Sequence, residues 1–237
     1  KYSCSYCVYN KNLKGITKRR LPDIEKEIKY LLAARNITSI RIVDPTFSSD
    51  LGYAKRILEI FVGEKEKGNA VKKLMMEYDY VDIDGEYFEL IAKLKTRPNI
   101  ANYSKENLPV DVPIGDSLEI VDGYTVFSGV GIQSFNPESL RMVNRKQHGK
   151  EELDAFFDLG KRHNILFKLD MILGLPAETI DSYLDGLDRI MSYVEDTDHF
   201  LQPAFLQILP GSRLEGKCAE FGLKYFAESG FVRETPH

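Results

Sequence analysis

Cys4 and Cys7 form the pair in this chain best suited to chemistry. Cys4-Ser-Tyr-Cys7 presents two thiols from one short turn, and such a pair has three uses. It supplies half of a tetrahedral zinc site, but no second CxxC and no paired histidines follow at ligand spacing. It serves as a redox dithiol of the thioredoxin kind, but that motif follows a first strand in a short βαβ domain, and this one opens the chain. It gives thiolates to an iron–sulfur cluster, whose ligands are cysteines at short spacing. The third cysteine, Cys218, stands far from both in a segment read as a final helix, and is expected to be an inert small hydrophobe.

A second set of candidates lies at the ends of apolar runs. In Gly129-Val-Gly-Ile-Gln133 a strand's alternation turns Val130 and Ile132 to one side and Gly129, Gly131 and Gln133 to the other. Two glycines leave room for a close approach, and the Gln133 amide both donates and accepts. In Lys168-Leu-Asp-Met-Ile172, Lys168 and Asp170 share a face opposite Leu169 and Met171. A parallel barrel is normally filled by branched apolar side chains, and its ligands sit at the C-terminal strand ends. A carboxylate there needs a partner, because an unpaired buried charge is costly. That partner is either a basic side chain or a ligand.

The elements that must position these residues alternate regularly. Strands are predicted at 39–43, 71–77, 125–135, 165–173 and 200–209. Helical stripes fall between them: Ile24, Ile28, Leu31 and Leu32; Ile57, Leu58, Phe61 and Val62; Phe88, Ile91 and Leu94; a segment from about Pro137; Leu153, Phe156 and Phe157; and Leu184, Leu187, Ile190, Met191 and Val194. A last helix is predicted after Gly211. Strand–helix alternation implies an α/β fold with a parallel sheet covered by helices. Gly174 permits a tight strand exit, and Pro176 is placed to open the next helix. The stretch 97–123, with Pro98, Pro109 and Pro113, breaks the rhythm and reads as an insertion, either on the surface or as a lid over the barrel mouth.

Composition excludes several classes. At 237 residues the chain has the size of one α/β barrel. Its net charge of −4 gives no footprint for nucleic acid, and it contains no apolar run of the ~18 residues that span a membrane. Three cysteines with one CxxC make a poor disulfide framework, so the expected compartment is the reducing cytoplasm. No Ser–His–Asp set can be placed, since none of His148, His163, His199 and His237 falls at a strand end.

Cys4-Ser-Tyr-Cys7 resembles the end of the CxxxCxxC motif of radical S-adenosylmethionine (SAM) enzymes. Gly131-Ile-Gln-Ser-Phe-Asn136, Val143-Asn-Arg-Lys-Gln147 and Asp170-Met-Ile-Leu-Gly-Leu-Pro176 follow in an order that resembles the oxygen-independent coproporphyrinogen oxidases and related groups. The resemblance spans nearly the whole chain outside 97–123. It implies a partial (β/α)6 TIM-type barrel over 1–237. The motif's first cysteine would stand immediately before Lys1, and the first barrel strand would also lie upstream. It further implies that Cys4 and Cys7 ligate a [4Fe–4S] cluster whose fourth iron takes the amino and carboxylate groups of SAM. Tyr6 would lie beside the adenine, and Asp44, Glu77, Gln133, Arg145 and Asp170 match positions around SAM. Carboxylates accept from ribose hydroxyls or an ammonium, and a guanidinium fork grips a carboxylate.

Where the family usually has a glycine-rich GGE-like stretch, this chain has Asp44-Pro-Thr-Phe47. That variant resembles the cobalamin-binding branch, whose cobalamin domain would precede this segment. The implied outcome is hydrogen abstraction by a 5′-deoxyadenosyl radical from a small-molecule substrate, with methyl transfer in the cobalamin branch or an oxidative conversion in the oxidase-like one. The implied partner is a low-potential electron donor such as a flavodoxin or ferredoxin. No catalytic side chain is assigned. Two other classes stay open: a barrel that only binds a ligand, and a structural zinc domain.

Overall fold

Period-two alternation sets the two faces of each strand. In Lys73–Tyr78, Leu74, Met76 and Tyr78 are buried on one side, while Lys73, Met75 and Glu77 turn to the other and stay partly exposed. The computed structural model describes residues 3–9, 17–34, 36–71, 73–80, 83–95, 125–146, 149–195, 200–226 and 231–234. The insertion expected at 97–123 lies outside them.

Five strands, β1 (Ser39–Arg41), β2 (Lys73–Tyr78), β3 (Thr125–Gln133), β4 (Phe167–Leu173) and β5 (Phe200–Phe205), form one parallel sheet in sequence order. The helices are α1 (Leu21–Ala33), α2 (Leu51–Glu66), α3 (Gly85–Leu94), α4 (Pro137–Met142), α5 (Lys150–Arg162) and α6 (Ile180–Val194). An order with no reversal, with the helices packed on one face, is that of a partial barrel, because a doubly wound sheet changes direction at a switch point. The five strands and the helices between them lie where the alternation predicts.

The core fills the space between sheet and helices. Phe88, Phe156, Phe157 and Phe167 are all buried; Phe156 and Phe167 have ring centroids 4.6 Å apart, and Phe157 stacks on Tyr193 at 4.5 Å. Each fully buried Phe contributes about 1.5–3 kcal/mol. Helix starts are marked by side-chain caps: Asp50 accepts from Tyr53 N (2.8 Å), Asp84 from Tyr87 N (3.0 Å), and Asn136 from Glu138 N and Ser139 N (3.0 and 3.2 Å).

Three details differ from the sequence expectation. On α6 the buried residues are Tyr183, Gly186, Ile190 and Val194, and Leu184 and Met191 are each half exposed. The helix is turned so that the tyrosine and glycine, and not those two aliphatics, meet the sheet. Its start is not at Pro176 either: Thr179 caps it, in reciprocal hydrogen bonds with Ser182 (3.0 Å each). Nor does a helix follow Gly211 among the described residues. A single 3-10 turn at Glu215–Lys217 gives way to an antiparallel hairpin, β6 (Lys224–Phe226) with β7 (Phe231–Glu234). Gly211 and Gly222, at φ +80° and +62°, break the helical path on either side of that turn. Cys218 therefore follows the turn, donating its thiol to Leu214 O (3.4 Å) and packing on a small second core that includes Val143, Leu175 and Leu206.

Gly160 on α5 marks where packing overrides helix propensity. A Cβ there would overlap the ring of Phe167. Ala is the better helix former by about 1 kcal/mol, but the ring is locked in the aromatic cluster. G160A should therefore destabilise the protein by about 2 kcal/mol, the scale of an overpacked core, as read by denaturant unfolding; unchanged or higher stability would mean that α5 is free to move off the sheet.

Candidate active site

The strand ends open into one cleft of about 430 Å³, counting its mouth. Its floor is Gly129 and Gly131 of β3, flanked in register by Glu77 on β2 and by Lys168 and Asp170 on β4. Val130 and Ile132 point the other way and are buried under the helices, as are Leu169 and Met171. The alternation read from the sequence thus puts the polar residues on the cleft side.

The end of β3 carries a device that alternation does not reveal. The pairing slips between Gly131 and Gln133, so that Gln133 stands opposite Met171 while Gly131 stands opposite Asp170. Gln133 is at φ +75°, uncommon for a residue with a side chain. This bulge re-aims the Gln133 amide into the cleft wall, where its Oε1 is buried with no hydrogen-bond partner among the described residues. A buried acceptor left open in a cleft has room for a donor, from water or from a ligand.

The two carboxylates already have protein partners. Glu77 takes Arg41 Nη2 at 2.8 Å, and Asp170 takes Lys168 Nζ at 3.1 Å. The basic-partner option is therefore realised; the Arg41–Glu77 pair is exposed at the cleft mouth, where such a pair contributes little and exchanges readily, while the Lys168–Asp170 pair is more buried. Burial pushes the Asp170 carboxyl above its ordinary range; Lys168 opposes this and the nearby Glu77 adds to it. Asp44 acts at one remove: its carboxylate accepts from Thr46 N (2.9 Å) and shapes the loop whose Pro45 and Thr46 line the cleft.

Cys4 and Cys7 stand on a turn closed by Cys7 N donating to Cys4 O (3.2 Å), and both are free thiols. The segment after α4 clasps that turn. Ser5 N donates to Val143 O (2.8 Å), and Asn144 Nδ2 donates to Ser3 O (3.1 Å) and Ser3 Oγ (2.5 Å). Arg145 Nη1 donates to Cys4 Sγ at 3.9 Å, while its Nη2 donates to Gly131 O in the cleft floor. Asn144 reaches its position at φ +54°. On the far side Leu214 N donates to Ser5 O (2.8 Å). Tyr6 lies against Cys4 and Arg145; burial pushes its hydroxyl above the ordinary range, and Arg145 opposes that. Burial acts to lower the proton affinity of Arg145, but Tyr6 and Cys4 outweigh it and the guanidinium stays cationic.

The structure thus brings Cys4, Cys7, Tyr6 and Arg145 together, and Glu77, Gln133, Arg145 and Asp170 around one cleft. Arg145 belongs to both groups. Sequence reasoning missed Ser3, Asn144 and Leu214, which clasp the CxxC turn, Asn144 through its side-chain amide and Leu214 through its backbone N–H, and it missed Glu178. Glu178 is buried and accepts hydrogen bonds from Ser134 Oγ, after β3, and Ser182 Oγ, on α6. Asn136 Nδ2 donates to Ala177 O (3.0 Å) and Ser182 Oγ (3.2 Å), so the exits of β3 and β4 are tied together. Among the described residues no group of three or more His, Cys, Asp or Glu side chains is gathered to hold a metal ion, and no helix is long and apolar enough to cross a membrane.

No family model matches the chain. It is 24% identical over 221 residues to the ribosomal protein uS12 methylthiotransferase RimO of Clostridium botulinum (strain Eklund 17B / Type B), covering 92% of this chain and 43% of that protein. It is 26% identical to the cobalamin-dependent radical SAM methyltransferase TokK of Streptomyces tokunonensis, over 98% of this chain and 30% of that one. The chain thus spans less than half the length of these relatives. Among solved structures, the radical SAM methyltransferase TsrM from Kitasatospora setae, with cobalamin and a [4Fe–4S] cluster bound, superposes with a TM-score of 0.66 at 19% identity, over 92% of this chain and 35% of that one. Coproporphyrinogen III oxidase HemN from Escherichia coli superposes at 0.52 with 16% identity, over 93% and 50%. The homologues and structural neighbours are radical SAM enzymes, cobalamin-binding methyltransferases among them, and the partial barrel is the fold they share with this chain.

Asp170 gives the site a measurable pH signature. Its carboxyl holds a proton more tightly in the folded chain than in the unfolded one. Its contribution is therefore fully present below the ordinary aspartate range and is lost as pH rises through the raised value. D170N cannot ionise, so its stability relative to the parent should increase from about pH 3 to about pH 7. Denaturant unfolding across that window reads the difference; a difference that shrinks would contradict the burial of this carboxyl.

Proposed function

We propose that this chain is the catalytic barrel of a radical SAM enzyme, holding SAM in the cleft at the C-terminal ends of β1–β4 beside a [4Fe–4S] cluster to which Cys4 and Cys7 give thiolates. One observation carries the reading: the turn bearing both thiols is clasped directly onto the cleft wall, with Arg145 touching Cys4 Sγ and the Gly131 carbonyl. The residues present fit the two groups. The thiols are free and lie on one turn, the cleft floor is glycine, and the Gln133 acceptor is buried and open.

Each side chain then has a task its chemistry suits. Glu77 and Asp170 accept from ribose hydroxyls or the ammonium group of SAM, and Glu77 releases its exposed Arg41 partner to do so. Gln133 Oε1 accepts a ligand N–H or O–H. Arg145, with five donors in a planar fork, holds the SAM carboxylate while keeping its grip on the floor. Tyr6 lies beside the adenine, and Asp44 holds the Pro45–Thr46 edge. Gly129 and Gly131 let the ligand approach the backbone. When bound, the cluster and SAM supply reductive cleavage to a 5′-deoxyadenosyl radical that abstracts hydrogen from a substrate; the barrel orients the reacting groups and excludes water.

Within this class we favour cobalamin-dependent methyl transfer to a small molecule. Asp44-Pro-Thr-Phe47 in place of a GGE-like stretch supports that branch, as do TokK and TsrM among the relatives. Cobalamin would be held by another part of the full-length protein. Electrons would come from a low-potential donor such as a flavodoxin or ferredoxin, and the location would be the cytoplasm. A coproporphyrinogen-oxidase-like oxidation is the second reading, supported by the motif order and by HemN.

The test is anaerobic incubation of the reconstituted full-length protein with SAM and dithionite, with 5′-deoxyadenosine measured by chromatography. The parent should release it and C7S should not. G131A, whose methyl group would overlap the Gln133 amide, should bind SAM about tenfold more weakly, or about 1.4 kcal/mol. A parent that binds an iron–sulfur cluster but yields no 5′-deoxyadenosine would overturn the reading.

A further inference from the structure

We infer that Arg145 is a positioning residue that sets the reduction potential of the cluster through Cys4, in addition to lining the SAM cleft. The inference rests on the cluster assignment proposed above and goes beyond it. Three observations carry it. First, Arg145 Nη1 lies 3.9 Å from Cys4 Sγ, within reach of an N–H···S hydrogen bond, while Nη2 donates to Gly131 O. The fork is anchored at one tip by strand backbone and applied at the other to sulfur. Second, Cys4 is buried, at 7% exposure, so water screens this contact poorly. Third, neighbouring residues hold the guanidinium in place: Asn144 and Val143 are bonded to Ser3 and Ser5, on either side of Cys4. Three consecutive residues thus grip three consecutive residues, and the charged member falls on the ligand.

The physical consequence follows from charge. Reducing a cluster adds one electron to it and to its thiolate shell. A fixed cation hydrogen-bonded to a ligand sulfur stabilises that extra negative charge, and hydrogen bonds to sulfur and net charge are among the levers that set cluster potentials. The same guanidinium holds the wall of the SAM cleft, so the electron-accepting and ligand-binding parts of the site share one cation. Lysine at this position would keep a positive charge but lose the planar fork that reaches sulfur and carbonyl together.

The experiment is an EPR-monitored redox titration of the reconstituted full-length protein, comparing the parent with R145Q and R145K, with melting of each apo-protein as a check on folding. In R145Q the ratio of reduced to oxidised cluster at a fixed potential should fall about tenfold, a shift of about 59 mV to more negative values for a one-electron couple. R145K should fall between R145Q and the parent. Midpoints equal to that of the parent would overturn the inference. Should R145Q not fold or not hold its cluster, R145K decides: a lowered midpoint supports the inference, and an unchanged midpoint or loss of the cluster overturns it, since Arg145 would then be a structural clamp. A parent with no cluster, or with one indifferent to SAM, would instead count against the proposed function. A parent cluster that responds to SAM beside unshifted variants would count against this inference alone.

Discussion

Everything at the mouth of this barrel depends on one side chain being held at both ends. The Arg145 guanidinium donates to the carbonyl of Gly131 and to the sulfur of Cys4, and so fixes a loop at the chain's beginning to a strand in its middle. The CxxC turn has no regular secondary structure of its own to place it. Its position comes from Val143, Asn144 and Arg145 on one side and Leu214 on the other. Removing the clasp would leave two thiols on a loop free to wander from the cleft.

The cleft solves a second constraint, which is how to put charges inside a barrel. A barrel lumen is ordinarily filled by branched apolar side chains. Here glycine takes the central positions of β3, and four of the charges on β1, β2 and β4 form opposed pairs, Arg41 with Glu77 and Lys168 with Asp170. The apolar alternates of the same strands are buried under the helices, so the core keeps its stability while the other face is left polar. Buried Glu178, bonded to Ser134 and Ser182, then ties the two strand exits so that the cleft walls keep their spacing.

Much of this was legible in the residues. Period-two alternation in β3 and β4 told which of their side chains share the cleft, because strand geometry admits only two faces, while Glu77 on β2 was named by the family resemblance alone. The five strands and their helices followed from where that period gives way to 3.6. The face of α6 was harder to read, because Tyr183 and Gly186 took the core positions that hydrophobicity alone gives to Leu184 and Met191. The described segment after Gly211 was misread as helix, because glycines that break a helix act through backbone angles and not through a pattern. The clasp was not legible for the same kind of reason: Ser5 N to Val143 O and Leu214 N to Ser5 O are backbone contacts, which any side chain permits. The Gln133 bulge likewise depends on a one-residue slip in pairing that no local pattern encodes.

The central claim is that the thiols of Cys4 and Cys7 hold an iron–sulfur cluster directly against a cleft that binds SAM. The most direct measurement is the EPR spectrum of the reduced, reconstituted full-length protein with and without SAM. The account predicts a [4Fe–4S] signal in the parent whose g values shift when SAM is added, and no such signal in the C4S variant. A cluster spectrum indifferent to SAM, or no cluster at all, would contradict it.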